Sequence, residues 1–144
     1  MKIKELLATM DERGLPLVEE DETIQGVLQQ MLHYPHTRLM YVVDKEGTCT
    51  GVISLGTLIR YLFPQNFEPV VHSRFIIPMI TAETAKDIMN KGVVSATGED
   101  ELDAVIKRMI KALVKEIPIL DREKKVIADL TMLDLLQYYH AVPE

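Results

Sequence analysis

The sequence is short of the residues from which most reactive sites are built. Cys49 is its only cysteine, so no intrachain disulfide can form. With no histidine near it in sequence, that thiol reads as a small turn residue rather than a nucleophile, and a reducing, cytoplasmic compartment is expected. No uninterrupted apolar run is long enough for a bilayer, and the mean hydropathy is only +0.06, so no membrane span is expected. The opening MKIKELLATMDERG mixes charges among its apolar residues and is not expected to be a signal peptide. Basic residues are in the minority, 16 Lys and Arg against 22 Asp and Glu, for a net charge of −6. That balance disfavours a nucleic-acid partner but leaves small anions open, because they respond to local groups. A glycine-rich phosphate loop and a Ser/His/Asp order are also missing. No nucleophile and base can be argued together, so the protein is not expected to be an enzyme. His33 and His36 in HYPH have near-ligand spacing, but Pro35 breaks the helix that would align them, and no Cys or carboxylate set completes a metal site.

What the sequence does have is a repetition. YVVDKEGTCTGVISLGTLIRYL, from Tyr41 to Leu62, has the same layout as PILDREKKVIADLTMLDLLQYY, from Pro118 to Tyr139. At a constant offset of 77 residues, Val43, Asp44, Glu46, Ile53, Ser54, Leu58 and Tyr61 meet Leu120, Asp121, Glu123, Leu130, Thr131, Leu135 and Tyr138. Upstream, at an offset of 78, Ile24, Val27, Leu28 and Met31 meet Leu102, Val105, Ile106 and Met109, and Leu15–Val18 meets Val93–Ala96. The spacing i, i+3, i+4, i+7 is the apolar face of a helix. Agreement over a helix and two strands in the same order marks an internal repeat.

Each copy reads strand, helix, strand, turn, strand, helix. In the first, strands are predicted at Leu15–Glu19, Leu39–Asp44 and Thr50–Ser54, with helices at Thr23–Tyr34 and Leu55–Leu62. In the second, strands are predicted at Val93–Ala96, Ile117–Asp121 and Val126–Leu130, with helices at Glu101–Leu113 and Met132–Tyr139. The fold class is therefore α+β. A three-stranded sheet leaves one apolar face to bury, and two copies can pack those faces together. The division expected is repeat one at 1–62, a connecting segment at 63–83 and repeat two at 84–144, forming a single module over 1–144. The connecting segment, with Phe67, Val70, Val71, Phe75, Ile76 and Ile77, is too apolar for a solvated linker. It is expected to pack over the domain or to form a docking surface.

The stretch AKDIMNKGVVSATGEDELDAVIKRMIKALVKEIPILDREKKVIADLTMLDLL resembles a CBS motif, named after cystathionine β-synthase. It has a D-I-M leading helix, an I-P-hydrophobic-hydrophobic-D strand, and a hydroxyl-x-x-D helix start. The first copy resembles the same motif more loosely, so the likeness covers almost the whole chain apart from the connecting segment. The resemblance implies two pseudo-symmetric β-α-β-β-α repeats, each with an extra leading helix. It also implies a regulatory Bateman module that binds an adenosine-type ligand (AMP, ADP, ATP or S-adenosylmethionine) in a cleft between the repeats and signals to a protein partner. No cofactor is required by this reading.

The candidate site centres on Thr131-Met132-Leu133-Asp134. A hydroxyl where a strand turns into a helix sits beside the unpaired N–H groups of the first turn, a natural seat for phosphate. The carboxylate of Asp134 has two acceptor oxygens, which suit the two hydroxyls of a ribose, and the resemblance implies that role. A hydroxyl residue followed three residues later by an acid is equally the pattern of a capping box, which stabilises a helix and binds nothing. Copy one has Ser54-Leu55-Gly56-Thr57 and lacks the carboxylate, so the ribose is expected at copy two. The resemblance supplies Val93, Val94, Ala96, Ile117 and Pro118 for an adenine slot, although each is also ordinary core. Arg38 and Lys115, just before the middle strands, are the basic residues that could reach a phosphate or simply be solvated. Two departures stand out in copy two: Ala128 replaces Gly51, and Asp129 replaces Val52 and would repel a phosphate. Exposed helix faces bearing Ile59, Leu133 and Leu136 point to a homodimer. The other reading is an oligomerisation or protein-interaction module whose cleft holds no ligand.

Overall fold

A computed structural model of the chain describes residues 1–35, 37–63 and 82–142. His36 and nearly all of the predicted connecting segment, 64–81, lie outside the described residues. The described chain contains six helices and two three-stranded sheets, an α+β fold. None of its helices is long and apolar enough to cross a membrane.

The structure divides into two compact units, each assembled from separated stretches of sequence: 16–46 with 50–93, and 1–15 with 47–49 and 94–144. In the first unit, β1 (Leu17–Glu19), β2 (Leu39–Val43) and β3 (Cys49–Ser54) lie in that order, with β1 parallel to β2 and Val18 opposite Val42. Helix α2 (Ile24–His33) is capped by Thr23, whose hydroxyl accepts from the Gly26 N–H at 3.0 Å. Its inward face of Ile24, Val27 and Met31 meets Val18, Met40, Val42 and Ile53, together with Leu58 of α3 (Leu55–Leu62). The central strand β2 is buried along nearly its whole length, burial alternates along the end of β3, and the helical stripe of α2 closes the core over them.

The second unit repeats this plan. Strands β4 (Ala96–Thr97), β5 (Glu116–Leu120) and β6 (Val126–Thr131) lie in order; β4 is parallel to β5, and β5 is antiparallel to β6 with Pro118 opposite Asp129. Helix α5 (Leu102–Ala112) buries Leu102, Val105 and Met109 against Ile117, Ile119 and Leu130. Asp121 closes the β5–β6 turn, its Oδ1 accepting from the N–H groups of Glu123 and Lys125 at 2.9 and 3.0 Å. Helix α6 (Met132–Ala141) follows directly from β6. The predicted strand Val93–Ala96 starts later than expected, at Ala96. The reason lies in the neighbouring helix: the Ser95 carbonyl accepts from the guanidinium of Arg108 on α5 at 2.7 Å.

The leading helices sit where the linear repeat does not put them. Helix α1 (Ile3–Ala8) precedes repeat one but buries Ile3 and Leu6 completely in the core of repeat two. Helix α4 (Ala85–Ile88) precedes repeat two and buries Ala85 in the core of repeat one, with Ile88 and Met89 packed beside it. The two dockings use the same backbone bonds. Ile3 and Lys4 donate to the carbonyls of Asp100 and Gly98, both at 2.9 Å; Ala85 and Lys86 donate to those of Glu22 and Glu20, at 2.8 and 3.0 Å. Leu6→Ala is therefore expected to destabilise the protein by about 2–5 kcal/mol, as a core truncation does. Urea unfolding measures this, and a loss below about 0.5 kcal/mol, the surface range, would show that α1 is not part of the core.

Candidate functional site

The junction of β6 and α6 carries the candidate site. Thr131 is the N-cap of α6 in extended conformation, and its hydroxyl accepts from the Asp134 N–H at 3.1 Å. Asp134 Oδ2 in turn accepts from the Thr131 N–H at 2.8 Å. The capping box is thus formed, and it satisfies two backbone donors that a helix start leaves open. The equivalent junction in repeat one is half of this: Ser54 accepts from the Thr57 N–H at 3.2 Å, and the two hydroxyls lie 3.2 Å apart. The position of the carboxylate is taken by Thr57.

Asp134 has a second partner in Arg13, a residue outside the sequence motif. The Arg13 guanidinium grips the carboxylate with both prongs, Nη1 to Oδ1 at 2.8 Å and Nη2 to Oδ2 at 2.7 Å. Nη2 also donates to the Asp129 carbonyl at 2.7 Å and lies 3.8 Å from the Asp129 carboxylate. Both aspartates are only 6% exposed, whereas the Arg13 side chain is 42% exposed. A bidentate fork of this kind is the strong form of an ion pair, and it compensates two carboxylates that would otherwise be buried side by side. In repeat one the position of Asp129 is Val52, which exchanges backbone bonds with Asn90 at 2.9 and 2.8 Å. The guanidinium takes over in repeat two a carbonyl that the main chain satisfies in repeat one. One sequence signal pointed here: Arg13-Gly14 precedes the first strand as Lys91-Gly92 precedes the fourth. Only the docking of α1 on repeat two, however, gives Arg13 its partner.

Burial is the largest influence on the Asp134 carboxyl and opposes its ionisation. It is outweighed by the Arg13 hydrogen bonds, the Thr131 N–H and the Arg13 charge, so the carboxyl titrates below its ordinary range. Arg13 and Asp134 also line a groove of about 570 Å³ inside this unit, together with the apolar Leu6, Met10, Tyr138 and Val142.

The other predicted residues divide between the two units. Thr131 and Asp134 are joined directly, and the Lys115 carbonyl accepts from the Met132 N–H at 2.9 Å, which puts its backbone at the start of α6. The Arg38 carbonyl accepts in the same way from Leu55 at 3.0 Å in the other unit. The side chains of Lys115 and Arg38 are both exposed. Ala96 and Ile117 are core, Pro118 is buried in β5, Val94 is half-buried against that core, and Val93 belongs to the unit of repeat one.

Because the folded Asp134 titrates below its unfolded value, its contribution to stability is present above about pH 4 and lost as the pH falls through the folded value. Arg13→Ala is expected to cost about 1–3 kcal/mol at neutral pH, the range for hydrogen bonds to a charged group, lowered by the water that still reaches Arg13. The difference from the parent should shrink below about pH 4, where the parent loses the same contribution. Urea unfolding of both proteins across pH 3–7 checks the sign.

The sequence profile of the CBS domain matches residues 12–64 and 85–141. No curated protein matches the chain in sequence. Among solved structures, a CBS domain-containing protein from Thermotoga maritima is similar over 100% of this chain and 97% of its own, with a TM-score of 0.79 and 25% identity. CBSX2, solved in complex with AMP, is similar over 99% of both chains, with a TM-score of 0.80 and 15% identity. The CBS domain pair of protein MJ0100, solved with 5′-methylthioadenosine and S-adenosyl-L-methionine, is similar over 97% of this chain and 96% of its own, with a TM-score of 0.73 and 16% identity. The last two are likenesses of fold. With both repeats matched and the doubled β-α-β-β-α plan in place, the chain belongs to the CBS domain family, as a tandem pair of CBS repeats.

Proposed function

We propose that this protein is a regulatory module that senses an adenosine-type ligand at repeat two and signals its presence to a protein partner in the cytoplasm, without catalysing a reaction. The observation that carries this reading is the asymmetry of the two strand–helix junctions. Repeat two holds an ionised, nearly buried carboxylate at the start of α6, and repeat one has only Thr57 there. A capping box needs no such burial, whereas a carboxylate beside a groove offers acceptors to ribose hydroxyls. The adenosine ligands of CBSX2 and of the MJ0100 pair support the ligand class. Of the residues expected for an adenine slot, Ala96, Ile117 and Pro118 are buried in the core of repeat two, which leaves half-buried Val94 as the candidate on this unit and Lys115, whose backbone meets the start of α6, as its candidate cation for a phosphate; Val93 and Arg38 belong to the other unit. A ligand that favours one arrangement of the protein shifts its population by its differential affinity, which is how binding would reach a partner.

A second reading, a ligand-free interaction module, draws on the full engagement of Asp134 by Arg13 and Thr131. Thermal shift against AMP, ADP, ATP, S-adenosylmethionine and NAD separates the two, since a ligand of the native state must raise its melting temperature. With the best ligand, Asp134→Asn should weaken binding about ten- to a hundredfold, the equivalent of about 1.5–3 kcal/mol for a hydrogen bond to a charged group. Thr57→Val should leave binding unchanged. Calorimetric titration reads both, and parent-like affinity in Asp134→Asn would remove the ribose from this carboxylate.

A homodimer is part of the same proposal. Ile59 on α3 and Leu133 and Leu136 on α6 are 54%, 56% and 66% exposed, at a repeated location that a symmetric partner could cover. Sedimentation velocity at micromolar concentration is expected to show a dimer, and a monomer at high micromolar concentration would refute it.

A further inference from the structure

We propose that Arg13 is a built-in competitor for ligand hydroxyls at Asp134, so that a diol reaches this carboxylate only by replacing the guanidinium. The inference rests on the ligand reading of repeat two given above. It follows from a count of acceptor positions. An ionised carboxylate has roughly four lone-pair sites. Oδ2 accepts from Arg13 Nη2 at 2.7 Å and from the Thr131 N–H at 2.8 Å, and Oδ1 accepts from Arg13 Nη1 at 2.8 Å. About one site is left, whereas a ribose brings two neighbouring hydroxyl donors. For both hydroxyls to bond to this carboxylate, one of the present partners has to leave.

The geometry identifies which. The Thr131 N–H is a main-chain group fixed at the junction of β6 and α6. Arg13 is a long, unbranched side chain, 42% exposed, on a stretch outside any helix or strand. It also has somewhere to go. Its contacts with the Asp129 carbonyl at 2.7 Å and the Asp129 carboxylate at 3.8 Å do not involve Asp134. When the fork opens, these bonds still hold the guanidinium and still compensate the buried Asp129 charge. Arg13 therefore has two acceptor sets, one shared with the ligand and one its own. The closed arrangement lowers apparent affinity by the fraction of molecules in which Asp134 is open. Asp129, a departure from repeat one with no evident purpose in the sequence, becomes the resting place of the displaced arginine. Repeat one, with Thr57 and Val52 at these two positions, has no counterpart of the device.

The test uses adenosine, which has no phosphate to attract a guanidinium, in calorimetric titrations of the full chain, Arg13→Ala and Arg13→Gln. Both variants are expected to bind adenosine at least about tenfold more tightly than the parent, because the competing state is gone. In the parent, the Arg13 Nε–H resonance is expected to shift as adenosine saturates the protein. If Arg13→Ala does not fold, Arg13→Gln and the parent resonance decide. Equal or weaker adenosine binding in the variants, or a parent resonance that stays in place at saturation, overturns the competition and leaves the ligand reading standing. A loss confined to AMP, with adenosine affinity unchanged, also overturns it and makes Arg13 a phosphate contact instead. Adenosine binding to none of the three proteins, with no response to the nucleotide panel, overturns the ligand reading and this proposal with it.

Discussion

A three-stranded sheet flanked by two short helices does not bury its own apolar face, and the fold depends on how each repeat meets that shortfall. Each one borrows the helix that precedes the other repeat. Ile3 and Leu6 are fully buried against Val105, Met109, Ile117 and Leu130, and Ala85 is fully buried among Ile24, Val27, Val42 and Ile53. The backbone bonds that fasten the two helices are equivalent one for one. Burial of this kind scales with the area removed from water, so a fully enclosed Ile and Leu contribute roughly 1.5–3 kcal/mol each. The N-terminal residues are in this way structural parts of a unit whose other stretches are 47–49 and 94–144.

The same constraint positions the chemistry. With α1 seated on repeat two, the chain that leaves it passes β6, and Arg13 arrives where two buried carboxylates lie together. Buried charge is costly unless it is paired and hydrogen-bonded. Arg13 reaches both of them, at 2.7 Å from Asp134 and 3.8 Å from Asp129. Repeat one has the same backbone plan with none of the charge. Val52 pairs through its main chain with Asn90, and Thr57 meets Ser54 hydroxyl to hydroxyl. The two repeats share a scaffold, but only one strand–helix junction has been made electrostatically active.

That difference gives the capping box of α6 two meanings. As a local motif it satisfies the N–H groups of Thr131 and Asp134, and any Ser or Thr followed by an acid three residues on could do so. As part of the tertiary structure it holds a carboxylate in a nearly buried position beside a groove, ionised by a guanidinium that is itself half in water. In the ligand-sensing reading proposed above, capping and ribose binding would draw on different lone pairs of the same side chain, so the two roles would coexist until a ligand needed more acceptors than remain.

The sequence by itself determined the α+β class, the doubling and the order of elements within each repeat. These follow from short-range periodicities: Ile24, Val27 and Met31 on one helical face, the same pattern at Leu102, Val105 and Met109, and apolar strands bounded by charged turns. It also marked Thr131 and Asp134, because a capping box is a four-residue pattern. Tertiary structure decided the rest. The delayed start of β4 depends on Arg108, thirteen residues from Ser95 in sequence. The exchange of leading helices depends on which core has room for Ile3 and which for Ala85, which no local pattern encodes. The Arg13–Asp134 pair joins residues 121 positions apart, and a lone arginine in a charged, irregular stretch looks like any solvated cation until the fold brings it a partner. Periodicity writes the elements into the chain, whereas the meeting of distant charges is fixed only when the elements have packed.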